Sequence, residues 1–512
     1  MKGDSMKKQT SISKFPVLFA LLLSVIIAAP VFAAAKVADD DITYWVKDAL
    51  RQDARVDASE ITVKTRKGIV TLSGSVNNLA AGNYADTEAK KIKGVLGVIN
   101  EIKVMPVWRS DTDISNAVQR RILDSAVIES QGITVNSVNG KVTLSGSVAT
   151  YSEKEEAGLL AGEVRGVKEV ENNIKIKWRA KRSDQEMKND VVAALQRDVY
   201  LSGLPIIVSV KNGVVTLTGS VGNAYEKERA GSDAYLVSYV RNVENRLKVE
   251  WWENRGVRNK KIWPSDDALK KAVRAELDED TRIDASNITI KVSYGLVTLN
   301  GSVFNHYQKR IAEQDARDVV GVGWVIDNLF ARVDKREDWA IQDDINFNLN
   351  TDAVMEGFDI NTAVNDGIVT LSGKVNTWYE KFHAADIASR IKGVKEVINS
   401  ITVQRSSWKK DTELVSTIKN RLEWNWTTSP VRDRINVNVY NGVVTLTGDV
   451  DTWSERREAG RVALLTEGIR KVDNLLTVKG YDYPWDQWYI KGPIPNTPYY
   501  YYEFDYYPYG LY

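Results

Sequence analysis

The sequence has no cysteine and only two histidines among its 512 residues. The absence of cysteine excludes disulfide bonds, thiolate metal sites and a lipid-bearing N-terminal cysteine. The two histidines, His306 and His383, lie in or near helices of different repeats, and we interpret them as solvated side chains rather than as a metal pair. Ser/His/Asp, Cys/His and phosphate-loop patterns are also missing. Because catalysis needs polar groups that converge on one pocket, we predict no catalytic site, no cofactor and no metal site.

An excess of charge of either sign is missing too. Lys and Arg number 69 against 68 for Asp and Glu, which gives a net charge of +1. Nucleic-acid binders usually carry a clear basic excess or basic patch. The sequence therefore predicts no nucleic-acid partner.

Long apolar runs are absent apart from residues 15–29. Lys7, Lys8 and Lys14 precede this run, and residues 31–33 follow it with the small residues of a cleavage site. This pattern is typical of a secretory signal peptide over residues 1–33, with an uncleaved anchor as the alternative. An exported chain without cysteine fits a bacterial periplasm, and we expect no transmembrane span once the signal peptide is removed.

The chain does contain one sequence pattern that occurs six times. Its centre is a V-T-L-x-G-x-V stretch such as residues 70–76, and the steps between successive glycines are 72, 73, 82, 72 and 75 residues. The six fold-defining glycines are Gly74, Gly146, Gly219, Gly301, Gly373 and Gly448. Self-similarity at such a period indicates an array of small domains. We expect the domains at residues 38–106, 110–178, 183–251, 265–334, 337–405 and 410–480, followed by a Tyr/Pro-rich tail over residues 481–512.

Each repeat reads as helix, strand, strand, helix, strand. An aspartate such as Asp111 precedes the first apolar position of the first helix and is expected to cap that helix. Turns such as Asn139-Gly140 predict an antiparallel hairpin, because both residue types tolerate positive φ. A right-handed crossover through the second helix makes the third strand parallel to the second. The predicted fold class is α+β: a tandem array of six small two-layer α/β domains, each with a three-stranded mixed sheet and two helices on one face.

The second helix of each repeat has its own sequence features. Capping boxes such as Thr150 to Glu153 mark its start. Alanines at four-residue spacing, such as Ala157, follow, while the repeated glycine, such as Gly146, falls on the core face of the preceding strand. We expect the small residues on both surfaces to let helix and sheet approach closely. A glycine is expected to end the helix, but the third repeat has Tyr239 there, so we expect its helix to stop differently.

This pattern resembles the BON domain, a bacterial module of osmotically inducible periplasmic proteins and of dual-domain outer-membrane lipoproteins. The match rests on the G-x-V-T-L-x-G-x-V stretch, the alanine-rich helix and the G-V-x-x-V-x-N-x-I closure over residues 38–480. The resemblance implies a periplasmic or envelope location, and binding either to phospholipid surfaces or to client proteins. The matching residues are mostly those that build the fold.

Tryptophan is abundant, with 15 residues, and many lie where one repeat ends and the next begins, as Trp339 does. Two interpretations stay open. These side chains pack the joints between repeats and give a semi-rigid rod or arc, or they anchor the protein among lipid headgroups. Basic neighbours such as Arg109 would suit anionic lipid. The candidate surface-binding residues, the last two of them in the tail, are Trp108, Trp178, Trp251, Trp252, Trp408, Tyr500 and Tyr501.

A further set of aromatic residues occupies the first turn of the second helix, where it covers the sheet edge or forms an exposed stripe. These residues are Tyr151, Tyr225, Tyr307, Trp378 and Trp453. The sequence favours non-enzymatic binding of envelope surfaces, phospholipid above all, in support of envelope integrity under osmotic or other stress. The expected partners are a membrane phospholipid surface or envelope proteins. The alternative is a periplasmic chaperone-like protein that holds unfolded clients along a concave, aromatic-lined array.

Overall fold

The architecture is seen in a computed structural model, which describes residues 37–129, 132–177, 182–250, 264–404 and 409–478. Six domains of one design, domains 1 to 6, follow one another along these residues. Each has the element order that the sequence predicts: helix, strand, strand, helix, strand. The predicted signal peptide and the Tyr/Pro-rich tail lie outside the described residues. Within the described part of the chain, no helix is long and apolar enough to cross a membrane.

The bounds of the elements are alike in the six domains. The first helices span Asp39–Gln52, Asp111–Asp124, Asp184–Arg197, Asp266–Glu279, Asp338–Thr351 and Asp411–Trp424. The second helices span Leu79–Lys90, Tyr151–Gly162, Ala224–Leu236, His306–Asp318, Trp378–Ser389 and Trp453–Leu464. The hairpins pair Ile61–Arg66 with Ile69–Val76, Thr134–Val138 with Lys141–Ser145, Ile206–Lys211 with Val214–Val221, Ile288–Ser293 with Leu296–Val303, Ile360–Asn365 with Ile368–Val375, and Ile435–Tyr440 with Val443–Val450. The third strands begin as Gly97–Val104, Glu169–Asn172, Asn242–Asn245, Trp324–Ala331, Glu396–Asn399 and Lys471–Asn474.

Smaller elements complete some of the domains. In four of them, a two-residue strand continues the third strand: Lys175–Ile176, Lys248–Val249, Thr402–Val403 and Thr477–Val478. In domain 2, the partner of that short strand is Ser147–Val148, which continues the hairpin. Short 3-10 helices at Ala285–Asn287 and Arg432–Arg434 lead into the first strands of domains 4 and 6.

The three strands of each domain form a mixed sheet that carries both helices on one face. In domain 1 the hairpin is antiparallel, with Ile61 opposite Gly74, and the third strand runs parallel to the second, with Ile102 beside Gly74. Val70 and Leu72 of the middle strand are completely buried in one cluster with residues of both helices. Each of the other five domains also has an apolar core. The predicted fold class is confirmed.

The repeated aspartate at the start of the first helix holds the hairpin turn and does not cap its own helix. Asp111 is the first residue of its helix, whose N-cap is Ser110. Its carboxylate oxygens accept hydrogen bonds from the backbone N–H groups of Asn139 and Gly140, at 2.8 and 2.9 Å. The bond from Gly140, then those from Ser137 and Asn139, hold the pKa of Asp111 below its ordinary value. The same pair of bonds recurs in the other five domains, so the predicted capping role is wrong.

The glycine of the V-T-L-x-G stretch is required by the neighbouring strand. Gly146 has a φ of +125°, which L side chains rarely adopt. A Cβ at this position would overlap the backbone carbonyl oxygen of Gly132, just before the first strand. The equivalent glycines have φ between +109° and +144° and the same neighbour. The reason given above, a close approach of the second helix, is therefore wrong, because the side chain is excluded by backbone within the hairpin.

Both ends of the second helix follow one scheme in all domains. Thr150 and Glu153 form the predicted capping box at its start. At its end, Gly166 has a φ of +94°, and Tyr239 has a φ of +72° at the equivalent place. Domain 3 therefore stops this helix as the others do, and the prediction of a different stop is wrong. The tyrosine adopts a conformation that costs a bulky residue roughly 1–3 kcal/mol.

The six domains fold back on one another in three pairs: 1 with 6, 2 with 5, and 3 with 4. In each pair, the residue that follows the first helix of one domain forms an isolated β-bridge with a residue at the end of the second helix of the other domain. The two domains also make this contact with their roles exchanged, so each pair has two such bridges. The bridges are Asp53 with Thr466, Ile92 with Asn425, Ser125 with Ile391, Val164 with Asp352, Asp198 with Val319, and Val237 with Asp280. Backbone hydrogen bonds support them, such as that from the Ala54 N–H to the Leu465 carbonyl at 3.0 Å. The exchange of roles gives each pair an approximate two-fold symmetry.

Two further kinds of contact join the pairs. The second helices of domains 1, 2 and 3 contact one another, and so do those of domains 4, 5 and 6. For example, the ring of Tyr151 in domain 2 stacks on the ring of Tyr235 in domain 3, with centroids 4.2 Å apart. Other contacts join 1 to 5, 2 to 4 and 3 to 6, as where Ser152 Oγ lies 2.6 Å from Thr281 Oγ1. A D3 hexamer has three pairs of subunits and two rings of three subunits. The six domains of this single chain make the same set of contacts. The interpretation of a rod or arc is wrong.

Gly74→Ala should destabilise the protein, because alanine would be strained at a φ of +113° and would overlap the carbonyl of Glu60. We expect the free energy of unfolding to fall by roughly 1–3 kcal/mol, as measured by denaturant titration. Gly82→Ala is the matched control in the same domain. Its Cβ would meet Val76 at an ordinary 3.7 Å, and alanine is favoured over glycine in a helix by about 1 kcal/mol. Equal losses in the two variants would contradict the assignment of strain to Gly74.

Candidate functional site

One position in the first turn of the second helix combines large with small residues across domains. The six residues at this position are Ala80, Ser152, Tyr225, Tyr307, Tyr379 and Ser454. Since domain 1 meets 5, domain 2 meets 4 and domain 3 meets 6, every such contact combines one tyrosine with one small residue. Tyr379 of domain 5 lies edge-on to Tyr84 of domain 1, one helical turn after Ala80, with centroids 5.3 Å apart. Residue size therefore distinguishes the correct partner domain.

Four of the five aromatic residues predicted to cover a sheet edge or form an exposed stripe lie between domains instead. Tyr307 is almost completely buried, and Tyr151 stacks on the next domain. Trp453 packs against the core of domain 3 as well as its own. The ammonium group of Lys91 in domain 1 lies 4.2 Å from the ring centroid of Tyr225 in domain 3. For these four residues, neither interpretation from the sequence is correct.

Two tryptophans that the sequence analysis did not single out fill a joint between domains. Trp424, at the end of the first helix of domain 6, belongs to the core of domain 1. Trp426, two residues later, lies against Gly222 of domain 3, where a Cβ would come within 2.7 Å of the indole ring. Nothing in the local sequence marks these residues, because their partners belong to other domains.

The junction of domains 2 and 5 buries charged side chains. Arg121 of domain 2, which is 1% exposed, donates hydrogen bonds to the Asn348 carbonyl at 2.5 Å and to Asp352 at 3.1 Å, both in domain 5. It also lies 3.3 Å from Glu163 of its own domain. Arg390 of domain 5 reaches the same carboxylate at 3.3 Å. Glu163 thus has an arginine partner from each domain, as a buried charge requires.

His383 is buried and His306 is partly buried with an enclosed Nδ1, so the prediction that both are solvated is wrong. His383 Nε2 lies 2.9 Å from an oxygen of Asp352. Burial acts to lower the pKa of His383, but the carboxylate of Asp352 outweighs it and raises that pKa above its ordinary value. Burial, assisted by Arg310 and Lys309, lowers the pKa of His306 to about 3. The two histidines therefore have different neighbours and opposite pKa shifts.

One group of residues has the spacing of a metal site. Glu163, His383 and Asp386 are buried, and each offers a ligand atom within 4.8 Å of the others. Glu163 is paired with Arg121 and Arg390, and the second of these arginines also binds Asp386 at 2.5 Å. A divalent cation would have to displace these ion pairs and lie beside two guanidinium groups. The group fits a salt-bridge network better than a cation site.

Comparison with known proteins follows the same division into six units. The sequence model of the BON domain matches residues 38–106, 110–177, 183–250, 265–331, 337–405 and 410–480. The chain belongs to the BON domain family. The resemblance drawn from its repeated motifs is confirmed.

Two relatives of this BON protein each align with a segment about as long as two of its domains. Osmotically-inducible protein Y of Escherichia coli (strain K12) is 32% identical over 146 residues, which cover 27% of this chain and 73% of that protein. Outer membrane lipoprotein DolP of Haemophilus influenzae is 28% identical over 147 residues, which cover 28% of this chain and 76% of that protein. The C-terminal domain of CdsD, a structural protein of the type III secretion system of Chlamydia trachomatis, is 17% identical. That match covers 40% of this chain and 94% of the CdsD chain, with a TM-score of 0.12.

Among the predicted surface-binding residues of this BON protein, Trp108 alone falls within the described ranges. Its side chain is 83% exposed, and the nearby Met105 and Val107 are 66% and 64% exposed. Trp339, at the junction of domains 4 and 5, is 71% exposed. Neither tryptophan packs a joint, so the joint interpretation is wrong for these two. The remaining candidates, outside the described residues, are Trp178, Trp251, Trp252, Trp408, Tyr500 and Tyr501.

Exchanging a large and a small residue across domains 2 and 4 tests their size complementarity. Ser152→Tyr should overpack the contact and cost roughly 1–3 kcal/mol of unfolding free energy. Tyr307→Ser should leave a cavity and cost about 3–5 kcal/mol. The double variant restores one large and one small residue, so it should regain more than half of the summed loss in a double-mutant cycle of denaturant unfolding. Simple additivity of the two losses would contradict the complementarity.

The ion pair of His383 should make stability depend on pH. A histidine whose pKa is raised by folding contributes its full stabilisation below the unfolded pKa of about 6.5, and this is lost as pH rises through the higher folded value. The free energy of unfolding from urea titrations should therefore fall as pH rises above about 6.5, and His383→Gln should reduce this slope. His306→Gln is the control, because a histidine whose pKa is lowered to about 3 stays neutral in that range. A slope that persists unchanged in His383→Gln would show that this ion pair is not its cause.

Proposed function

We propose that this BON protein is a non-enzymatic binding protein of the periplasm that docks on anionic phospholipid surfaces and supports envelope integrity under osmotic stress. The docking element is the linker between domains 1 and 2, residues 105–109. The observation that carries the proposal is the exposure of three apolar side chains in this linker, Met105, Val107 and Trp108, directly before Arg109.

The arrangement of the domains leaves the linker between domains 1 and 2 and the outer sheet faces for partners. Most aromatic residues of the second helices are occupied by contacts between domains. The outer face of the domain 1 sheet presents residues such as Thr62 and Lys64, which suit water. The Met105 N–H still bonds to the Val76 carbonyl at 2.7 Å, so the linker leaves the sheet at a fixed point and presents its apolar side chains from there.

The side chains of the linker have the chemistry of a membrane interface. Tryptophan places an apolar ring and a polar N–H at headgroup depth, and methionine and valine add apolar area that can enter the acyl boundary. Lys103 and Arg109 flank the apolar residues, and a basic residue near an anionic surface contributes about 1 kcal/mol of attraction. The combination favours anionic over zwitterionic lipid.

The names of the relatives support the envelope as the place of action. One is an osmotically inducible protein and another is an outer membrane lipoprotein. This chain has no cysteine, so a lipid on cysteine cannot attach it, and the proposed docking uses surface side chains. The buried ionisable groups face one another between domains, which supports a role without catalysis.

The chaperone-like alternative loses its expected binding surface. It called for a concave array lined by aromatic residues, whereas Tyr225, Tyr307 and Trp453 of the second helices are occupied between domains. The exposed linker that we propose for membrane docking is also open to a client protein. Vesicle binding and protection of a client from aggregation therefore need to be measured on the same variants.

Vesicle co-sedimentation tests the proposal on residues 34–512. The protein should bind phosphatidylglycerol vesicles more strongly than phosphatidylcholine vesicles, and the difference should shrink as salt rises from about 0.05 to 0.5 M. Arg109→Gln should weaken binding to anionic vesicles about fivefold, and Trp108→Ala should weaken it at least as much because the aromatic anchor is lost.

Trp339→Ala is the matched control for Trp108→Ala. Trp339 is nearly as exposed, but its neighbours are Glu337 and Asp338, which anionic lipid would repel. This variant should bind vesicles as the unmodified chain does. Absence of binding to either vesicle type would overturn the proposal, and suppression of client aggregation by the same protein would then favour the chaperone-like alternative.

A further inference from the structure

Domain 5 contains a cleft that its sequence sets apart from the other domains. The cleft has a volume of about 300 Å³ and lies between the first helix, the loop that follows it and the first strand. Gln342, Asn346 and Asn350 line one side, and Asn361 and Thr362 line the strand side. Such a volume is at the small end of the range for small-molecule sites.

Thr362 is the first sign that the cleft has a ligand. Its side chain points inward from the first strand and is 8% exposed, yet its Oγ1 has no hydrogen-bond partner among the described residues. The residues at this register in the other five domains are Val63, Val135, Val208, Ile290 and Val437. A buried hydroxyl without a partner is costly, and domain 5 alone has a threonine at this register.

The amides of the first helix are the second sign. Gln342, Asn346 and Asn350 follow one another at four-residue spacing, which places them on one helix face. Only Gln342 has a hydrogen bond from its side chain within the described residues, to the Thr362 carbonyl at 2.7 Å. The side-chain amides of Asn346 and Asn350 keep their donors and acceptors for a ligand or solvent.

Domain 4 has a longer side chain at the equivalent place. Arg274 stands there at the position of Asn346, and its guanidinium donates to the Ile288 and Ala285 carbonyls at 2.8 and 3.1 Å. Domains 1 and 6 also have a long basic side chain at this position, Lys47 and Lys419. The shorter asparagine of domain 5 cannot make the arginine contact, and the space it leaves becomes part of the cleft.

We propose that this cleft binds a small, uncharged, hydroxyl-rich molecule such as a single sugar ring or a polyol. A hydroxyl group both donates and accepts a hydrogen bond, and so does each amide and the Thr362 hydroxyl. Phe358 adds one aromatic side chain to the lining, and Asp359 is its only charged residue. No cation lines the cleft to hold an anion, and one carboxylate is too few for a divalent cation. This site is separate from the proposed lipid-docking linker.

Saturation-transfer NMR on the full chain tests the site with D-glucose and glycerol as probes, and with glycine betaine and acetate as control solutes that have no hydroxyl groups. Binding has to be observed directly, because polyols stabilise any protein by exclusion from its surface. We expect saturable transfer to D-glucose or glycerol and none to betaine or acetate. No saturable transfer to either hydroxyl-rich probe, or equal transfer to betaine or acetate, would overturn the proposal.

Three variants assign the binding to this cleft. Thr362→Val, which copies the other domains, should weaken binding about tenfold or more by removing a hydrogen-bonding group. It should also raise the melting temperature of the free protein, since an unpartnered buried hydroxyl is removed. Asn346→Arg should close the cleft and abolish binding, whereas Thr370→Val, on the opposite face of the same sheet, should change nothing. Unweakened binding in either cleft variant, or a lower melting temperature in Thr362→Val, would overturn the assignment.

Discussion

The arrangement of this protein depends on the contact between the end of a first helix and the end of a second helix in another domain. It is made of backbone groups as much as of side chains: Ala54 donates to the Leu465 carbonyl, and Glu467 donates to the carbonyl of Gln52, both at 3.0 Å. A domain of this size buries only a modest part of its surface when alone. Pairing covers the helix ends and brings the second helices together, so the interior of the cluster is shared by all six domains.

Side chains decide which domain pairs with which. Each pair has its own arginine and carboxylate across the junction: Arg461 with Glu88 at 2.5 Å, Arg121 with Asp352 at 3.1 Å, and Arg229 with Asp318 at 3.1 Å. These residues stand at different places in the repeat, so an exchanged partner would leave a buried charge without its counterion, which is strongly unfavourable. The combination of tyrosine with alanine or serine adds a steric criterion at the third kind of contact. Domains that share one fold thus have distinct partner domains.

The sequence was a good guide to each domain and a poor guide to what lies between domains. Hairpin turns, capping boxes and the parallel third strand depend on residues close in sequence, and these predictions were correct. The role of Asp111 was missed because its partners Asn139 and Gly140 lie in a turn beyond the next strand. Trp426 was missed because the surface it packs on belongs to domain 3. The cleft of domain 5 could have been found by comparing Thr362 with the valine or isoleucine at this position in the other repeats, a difference that periodicity alone hides.

The pairing of domain 1 with domain 6 has a consequence for how the chain matures. Domains 3 and 4 are neighbours in sequence and can join as soon as both are made, domains 2 and 5 can follow, and domain 1 has to wait for the last domain to be synthesised. Contacts between distant parts of a chain form slowly, and surfaces that wait for them are prone to aggregation. The surface by which domain 1 meets domain 6 therefore belongs to the first domain to emerge and is exposed for the longest time during synthesis.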